Sequence, residues 1–156
     1  MSRLPWKDGQ VVEWTQWMLD SHCHWTGREL IDRSGGPETQ ARRLFEFPRI
    51  VVSHGKEEDP ILNYANQAAL SLWDFSWERM KTMPSRFTAE PVEQAERDRM
   101  LSLARERGYF DRYRGVRITS SGRRFIVDDA CIWTIRDCNG QTVGQAATFE
   151  KWKWMS

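Results

Sequence analysis

Ser53-His54-Gly55, with Asp59 shortly after, brings a hydroxyl, an imidazole and a carboxylate into one short stretch. These are the groups of a nucleophile, its base and an orienting acid. His54 also carries the one side chain whose unperturbed charge changes near neutrality. Strand geometry argues against the hydrolytic reading. Adjacent strand residues point to opposite faces, so Ser53 and His54 do not converge as nucleophile and base. What remains for catalysis is His54 working with Asp59 or Glu90 as an acid–base pair. The bland alternative is that His54 pins the turn through backbone and that Asp59, before Pro60, shapes it. The balance favours no catalysis, with no residue assigned as catalytic.

Two other groups could do chemistry. His22-Cys23-His24 has ligand types for a metal, yet residues two apart on a helix point about 200° apart. No second cluster completes a site, so no metal is expected. Arg86 and Glu90 flank a loop. They pair with each other or with the His54 turn, or Arg86 receives an anion. Glycine-rich phosphate loops are absent, which argues against nucleotide hydrolysis.

The elements that must hold these groups follow from pattern. Asp8 is placed to cap a helix starting near Gly9 and stopping at Thr26-Gly27. Val11, Trp14, Met18 and Trp25 form its apolar stripe, widened by Val12, Leu19 and His22, with Ser21 at the polar gap. The stripe either docks on the protein's own core or forms a homodimer seam. Pro37 opens a second helix that Pro48 ends. Ile50 to Gly55 reads as a strand, Lys56 to Asp59 as a charged loop, and Ile61 to Ala65 as a second strand. Asn66 caps the next helix, an interaction worth about 1 kcal/mol. A short helix fits Trp77 to Met80 after Ser76, and Pro84 to Thr88 is a loop. Pro91 opens a long helix ending at Gly108, with Thr88 or Glu90 as its cap, Glu93 and Arg97 as an ion pair, and Val92, Ala95, Met100 and Leu103 on its buried side. Three strands close the chain: Tyr109 to Thr119, Phe125 to Ile135, and Gln141 to Trp152. Phe125, Val127, Cys131, Trp133 and Ile135 share one face by alternation, with Asp129 paired or at an irregularity. Asn139-Gly140 marks a hairpin.

At 156 residues and net charge +1 the chain fits one domain and gives no support to polyanion or nucleic-acid binding. Residues 1–47 read as a helical extension and 48–156 as the sheet-bearing core. Three cysteines without paired spacing point to a reducing, cytoplasmic setting. No signal peptide or membrane span is expected. The nine tryptophans read chiefly as packing.

The element order is α+β, with one antiparallel sheet and helices segregated to one side. That order resembles a PAS-like fold of five strands. Ser53-His54-Gly55, Asp59 to Tyr64, Asn66, Ala68 to Leu70, Pro84 to Arg86, Ala89-Glu90, Gly122 to Phe125, Gly144 to Ala147 and His24 to Leu30 together resemble the MEKHLA domain family. Within that resemblance Ser53, Gly55, Asp59, Asn63, Asn66 and Glu90 are signature residues. It implies a PAS-related sensory module that binds a small ligand or controls association, as a homodimer or with a partner protein, and no DNA-binding role. The cofactor is unknown. Covalent flavin is disfavoured, since no Asn-Cys-Arg-type motif precedes the long helix, while non-covalent flavin stays open, and haem is disfavoured because Pro91 to Arg107 holds no His. The expected ligand space lies above the last strand, opened by Gly144 and Ala146. His54, Tyr64, Arg86, Trp133 and Gln145 are its candidate contacts.

Overall fold

The computed structural model describes residues 4–89 and 91–155. Helix α1, Gly9–Thr26, begins where the Asp8 carboxylate accepts from the Gln10 amide and ends at Gly27, whose φ of 74° only glycine adopts cheaply. Helix α2 is Pro37–Phe45, strand β1 Ile50–Gly55 and strand β2 Leu62–Ala65. Helices α3, Gln67–Trp73, and α4, Trp77–Met80, are capped by Asn66 and Ser76 as their sequences imply. A short 3-10 turn, Ser85–Thr88, leads to helix α5, Pro91–Arg107. Strands β3, Tyr109–Ile118, β4, Arg124–Arg136, β5, Thr142–Phe149, and β6, Lys151–Trp154, follow.

The sheet is antiparallel, in the order β2-β1-β5-β4-β3. The last strand is broken at Glu150, so β6 pairs the far half of β4 and makes a sixth strand where five were expected.

Both faces of this sheet are covered. On one face α3, α4 and α5 pack over Ile50, Leu62, Val127, Ile132 and Phe149. The other face, with Val51, Tyr64, Trp133, Ile135 and Ala146, is covered by Met18 and Leu19 of α1. The apolar stripe of α1 is therefore docked on the protein's own sheet. Met18 is completely buried there, while Val11, Trp14 and Trp25 pack against the same cluster. Ser21, expected on the polar side, is buried, and its hydroxyl accepts from the Arg136 amide.

Three indole N–H groups hold α1 in place. Trp14 donates to the Ser53 hydroxyl at 2.9 Å, Trp25 to the Thr134 carbonyl at 2.8 Å, and Trp133 to the Met18 carbonyl at 3.0 Å. A tryptophan-rich helix suits this task, because each ring buries apolar area and still presents one donor.

Strand β4 does not keep one face. Phe125 and Val127 lie with the helices α3–α5, whereas Cys131, Trp133 and Ile135 lie with α1. An extra residue between Val127 and Ala130, with Asp129 at φ 56°, reverses the alternation. Strand β3 carries a matching extra residue at Arg112, φ 57°. The irregularity expected at Asp129 is thus a bulge.

The buried side of α5 also differs from expectation. Met100 is buried and Leu103 packs against the core as expected, Ala95 is exposed, the side chain of Val92 lies outside those described, and the buried positions are Arg97, Met100 and Ala104. Arg97 bonds Asp98 rather than Glu93. Thr88 donates to the Ser85 carbonyl, and Glu90 lies outside the described residues.

Candidate ligand-binding site

Between the sheet and the α3–α5 layer lies a cavity of about 70 Å³. By strand parity Val52 and His54 of β1, Ile132 of β4, and Gln145 and Ala147 of β5 point toward it, Ser53 and Ala146 border it between them, and Leu101 and Arg97 come from α5. Two of the expected contacts, His54 and Gln145, therefore meet in one place. Gln145 donates to the Leu101 carbonyl at 2.8 Å, which ties α5 to the sheet across the cavity wall.

Three other expected contacts lie elsewhere. Tyr64 and Trp133 are on the α1 face, buried with Met18, Leu44 and Val51. Gly144 is away from the cavity walls, with Trp14 packed against it on the α1 face, whereas Ala146 borders the cavity and also packs in the α1-side cluster. Arg86 is exposed. It bonds Asp59 at 3.1 Å, an exposed carboxylate of the loop after His54, and stacks on Phe87. The expected locking of the loop is realised through Asp59.

His54 is 8% exposed. Its Nδ1 lies 2.8 Å from the carbonyl of Gly55. A carbonyl only accepts, so Nδ1 carries the proton and donates, leaving Nε2 as a lone-pair acceptor in the neutral ring. Nε2 is buried and has no partner. Burial lowers the pKa of His54, partly opposed by the Gly55 hydrogen bond. Among the described residues no carboxylate bonds His54, and Asp59 is turned outward to Arg86, so their expected acid–base pair is not assembled. Trp73 also lines the cavity, and its Nε1 is likewise buried without a partner.

Arg97 was not among the residues expected here. It is 6% exposed and donates to the Ser85 hydroxyl and to Asp98. Its pKa is lowered by burial first and by the Arg117 charge next. The available signal was spacing: Arg97, Met100, Leu101 and Ala104 form an i, i+3, i+4, i+7 stripe whose first member is charged.

A cleft of about 480 Å³ opens outside this wall, between the Lys56–Pro60 loop and α5. His54, Arg97, Leu101 and Gln145 border both spaces.

The signature residues mostly build the frame around the site. Ser53 donates to Asn63 Oδ1 at 2.6 Å while accepting from Trp14, so one hydroxyl joins α1, β1 and β2. Asn66 is fully buried. Its carbonyl oxygen accepts from the Ala69 and Val51 amides, and its amide donates to the carbonyls of Leu44, Phe47 and Arg49. Gly55 faces Gly144 across the β1–β5 pair, where a Cβ on Gly144 would overlap the His54 carbonyl. The His22-Cys23-His24 run diverges as helix geometry requires: His22 packs on Trp133 and His24 is exposed. No group of three or more potential ligands among the described residues could hold a metal ion.

A family model, the MEKHLA domain, matches residues 12–154. The chain belongs to the MEKHLA domain family. No curated protein matches this MEKHLA domain. Its fold is similar to a PAS domain of a protein from Colwellia psychrerythraea, at TM-score 0.64 and 14% identity, covering 76% of this chain and 95% of that one. A light-oxygen-voltage domain studied with a flavin analogue gives 0.59 and 18%, covering 76% and 85%. An RNA-binding light-oxygen-voltage receptor gives 0.62 and 16%, covering 76% of this chain and 34% of that receptor. The MEKHLA domain is thus PAS-like in fold.

Flavin does not fit the residues present. Cys23, Cys131 and Cys138 all lie away from the cavity walls. The space of about 70 Å³ is far below the roughly 300–1,000 Å³ of pockets for ligands of that size. The same volume argument applies to haem. No described helix is long and apolar enough to cross a membrane.

Proposed function

We propose that this MEKHLA domain is a non-catalytic sensory module of the cytoplasm. It takes a small molecule into the cavity between sheet and α5 and passes on occupancy by protein association. The observation that carries this reading is that two residues lining one cavity, His54 and Trp73, each bear a buried polar atom without a partner, Nε2 and Nε1. Unmade hydrogen bonds at buried groups are costly, and a bound molecule that supplies them is stabilised by the same amount. Occupancy can reach the surface through α5, which is joined to the sheet by Gln145 at Leu101 and by Thr134 at Ala104. The α1 stripe is engaged by the protein's own sheet, so association with a second copy or another protein uses a different surface.

Native purification followed by native mass spectrometry tests this. The expected spectrum shows a small adduct that is lost on denaturation, and it reports oligomeric state at the same time. A bare protein that also gives no thermal shift with a small-molecule panel would overturn the sensory reading.

A further inference from the structure

The inner cavity has a charge balance of its own. Arg97 and Arg117 both line it, and no Asp or Glu does. The anion paired with Arg97 is Asp98, whose side chain is 70% exposed and stands outside. Arg117 lies over the Tyr113 ring at 5.2 Å and donates to the Val116 carbonyl. Two guanidinium groups thus line a shared interior whose own walls carry no carboxylate, Arg97 meeting Asp98 only on its outer side. Buried charge of one sign is unfavourable unless an opposite charge joins it. Guanidinium geometry suits a carboxylate, which can accept two parallel N–H bonds.

The orphan atom of His54 asks for something different. With the proton committed at Nδ1, Nε2 only accepts. A carboxylate or ketone oxygen cannot satisfy it, whereas a hydroxyl can. His54 and Arg97 stand in the same wall, so the two demands fall on one small molecule. The volume sets its size. About 70 Å³ holds a few waters, and so a ligand of roughly four to six non-hydrogen atoms. Ile132, Ala147 and Phe149 leave an apolar wall for its carbon end.

We propose that the cavity takes a short 2-hydroxycarboxylate, its carboxylate held by Arg97 and Arg117 and its hydroxyl donated to His54 Nε2. This rests on the sensory reading above and names the chemistry of the same site.

The test uses the full chain and four probes of nearly equal size: lactate, propionate, lactamide and 1,2-propanediol. Titration calorimetry on the wild-type protein needs no variant to fold. Lactate is expected to bind. Propionate, lacking the hydroxyl, and the two neutral probes, lacking the carboxylate, are expected to bind roughly tenfold or more weakly. Arg97→Gln is expected to lose lactate binding by a similar factor. Equal binding of lactate and propionate, or of lactate and either neutral probe, overturns the assignment of class and leaves the sensory reading standing. Failure of all four to bind also overturns it. A native adduct in that case keeps the sensory reading, and a bare spectrum together with no thermal shift across the panel removes both.

Discussion

Burial lowers the pKa of His22 and His54 below the ordinary 6.5, with desolvation the leading cause at each. The unfolded chain therefore binds protons at a pH where the folded protein does not. The stability gained from holding both rings neutral is fully present above pH 6.5. It is lost as pH falls from there through the lower folded-state values. The urea midpoint should be level from about pH 7 to 8.5 and should drop from about pH 6.5 to 5. His54→Gln should show a smaller drop than wild type, and an equal drop would place the effect elsewhere. Much at this scale was legible in the sequence. His54 and Gln145 could be placed because strand parity is a local rule. Arg97 could not, because an arginine on a helix reads as solvent-facing until the apolar residues three, four and seven positions on are seen to share its face. Tyr64 and Trp133 were misassigned for a related reason: a sheet covered on both faces is apolar on both, so polarity does not say which face holds the cavity.

Asn66 shows how one residue serves several elements. It caps α3, fixes the start of β1 through Val51, and receives the end of α2 through three carbonyls. Asn66→Ala removes the cap and strands buried backbone groups at once. The expected loss is about 3 kcal/mol or more, well above the ~1 kcal/mol of an ordinary cap. Urea unfolding measures it, and a loss near 1 kcal/mol would reduce Asn66 to a cap alone. The caps at Asp8, Asn66 and Ser76 were legible because a cap is set by the residues beside it. The three long-range carbonyls were not, since they come from α2 and the segment joining it to β1. The bulges in β3 and β4 were half legible. Asp129 breaks the apolar pattern, but an alternation count cannot tell a paired acid from an inserted residue.

At the scale of the molecule, the sheet order and its α3–α5 cover follow the PAS-like pattern that the element order implied. The role of residues 1–47 was less evident, because a striped helix satisfies its own sheet or a second chain equally well. Here it completes the core. Val51, Tyr64, Trp133 and Ile135 are buried beneath it. Burial of such side chains is worth about 1.5–3 kcal/mol each, which together rivals the roughly 5–15 kcal/mol net stability of a domain. Removing residues 1–47 should therefore abolish cooperative thermal unfolding and cause self-association in sedimentation. A truncated chain that stays monomeric and melts cooperatively would make the segment a dispensable extension.

The two bulges also govern how this hairpin can change length through mutation. Loss of Asp129 alone would carry Cys131, Trp133 and Ile135 across to the α5 side and leave the indole of Trp133 without the Met18 carbonyl. Loss of Arg112 together with Asp129 would cancel, because Phe110 still opposes Ile132 and Arg117 still opposes Phe125. Single-codon insertions and deletions in these strands are therefore survivable only as matched pairs, one in each strand.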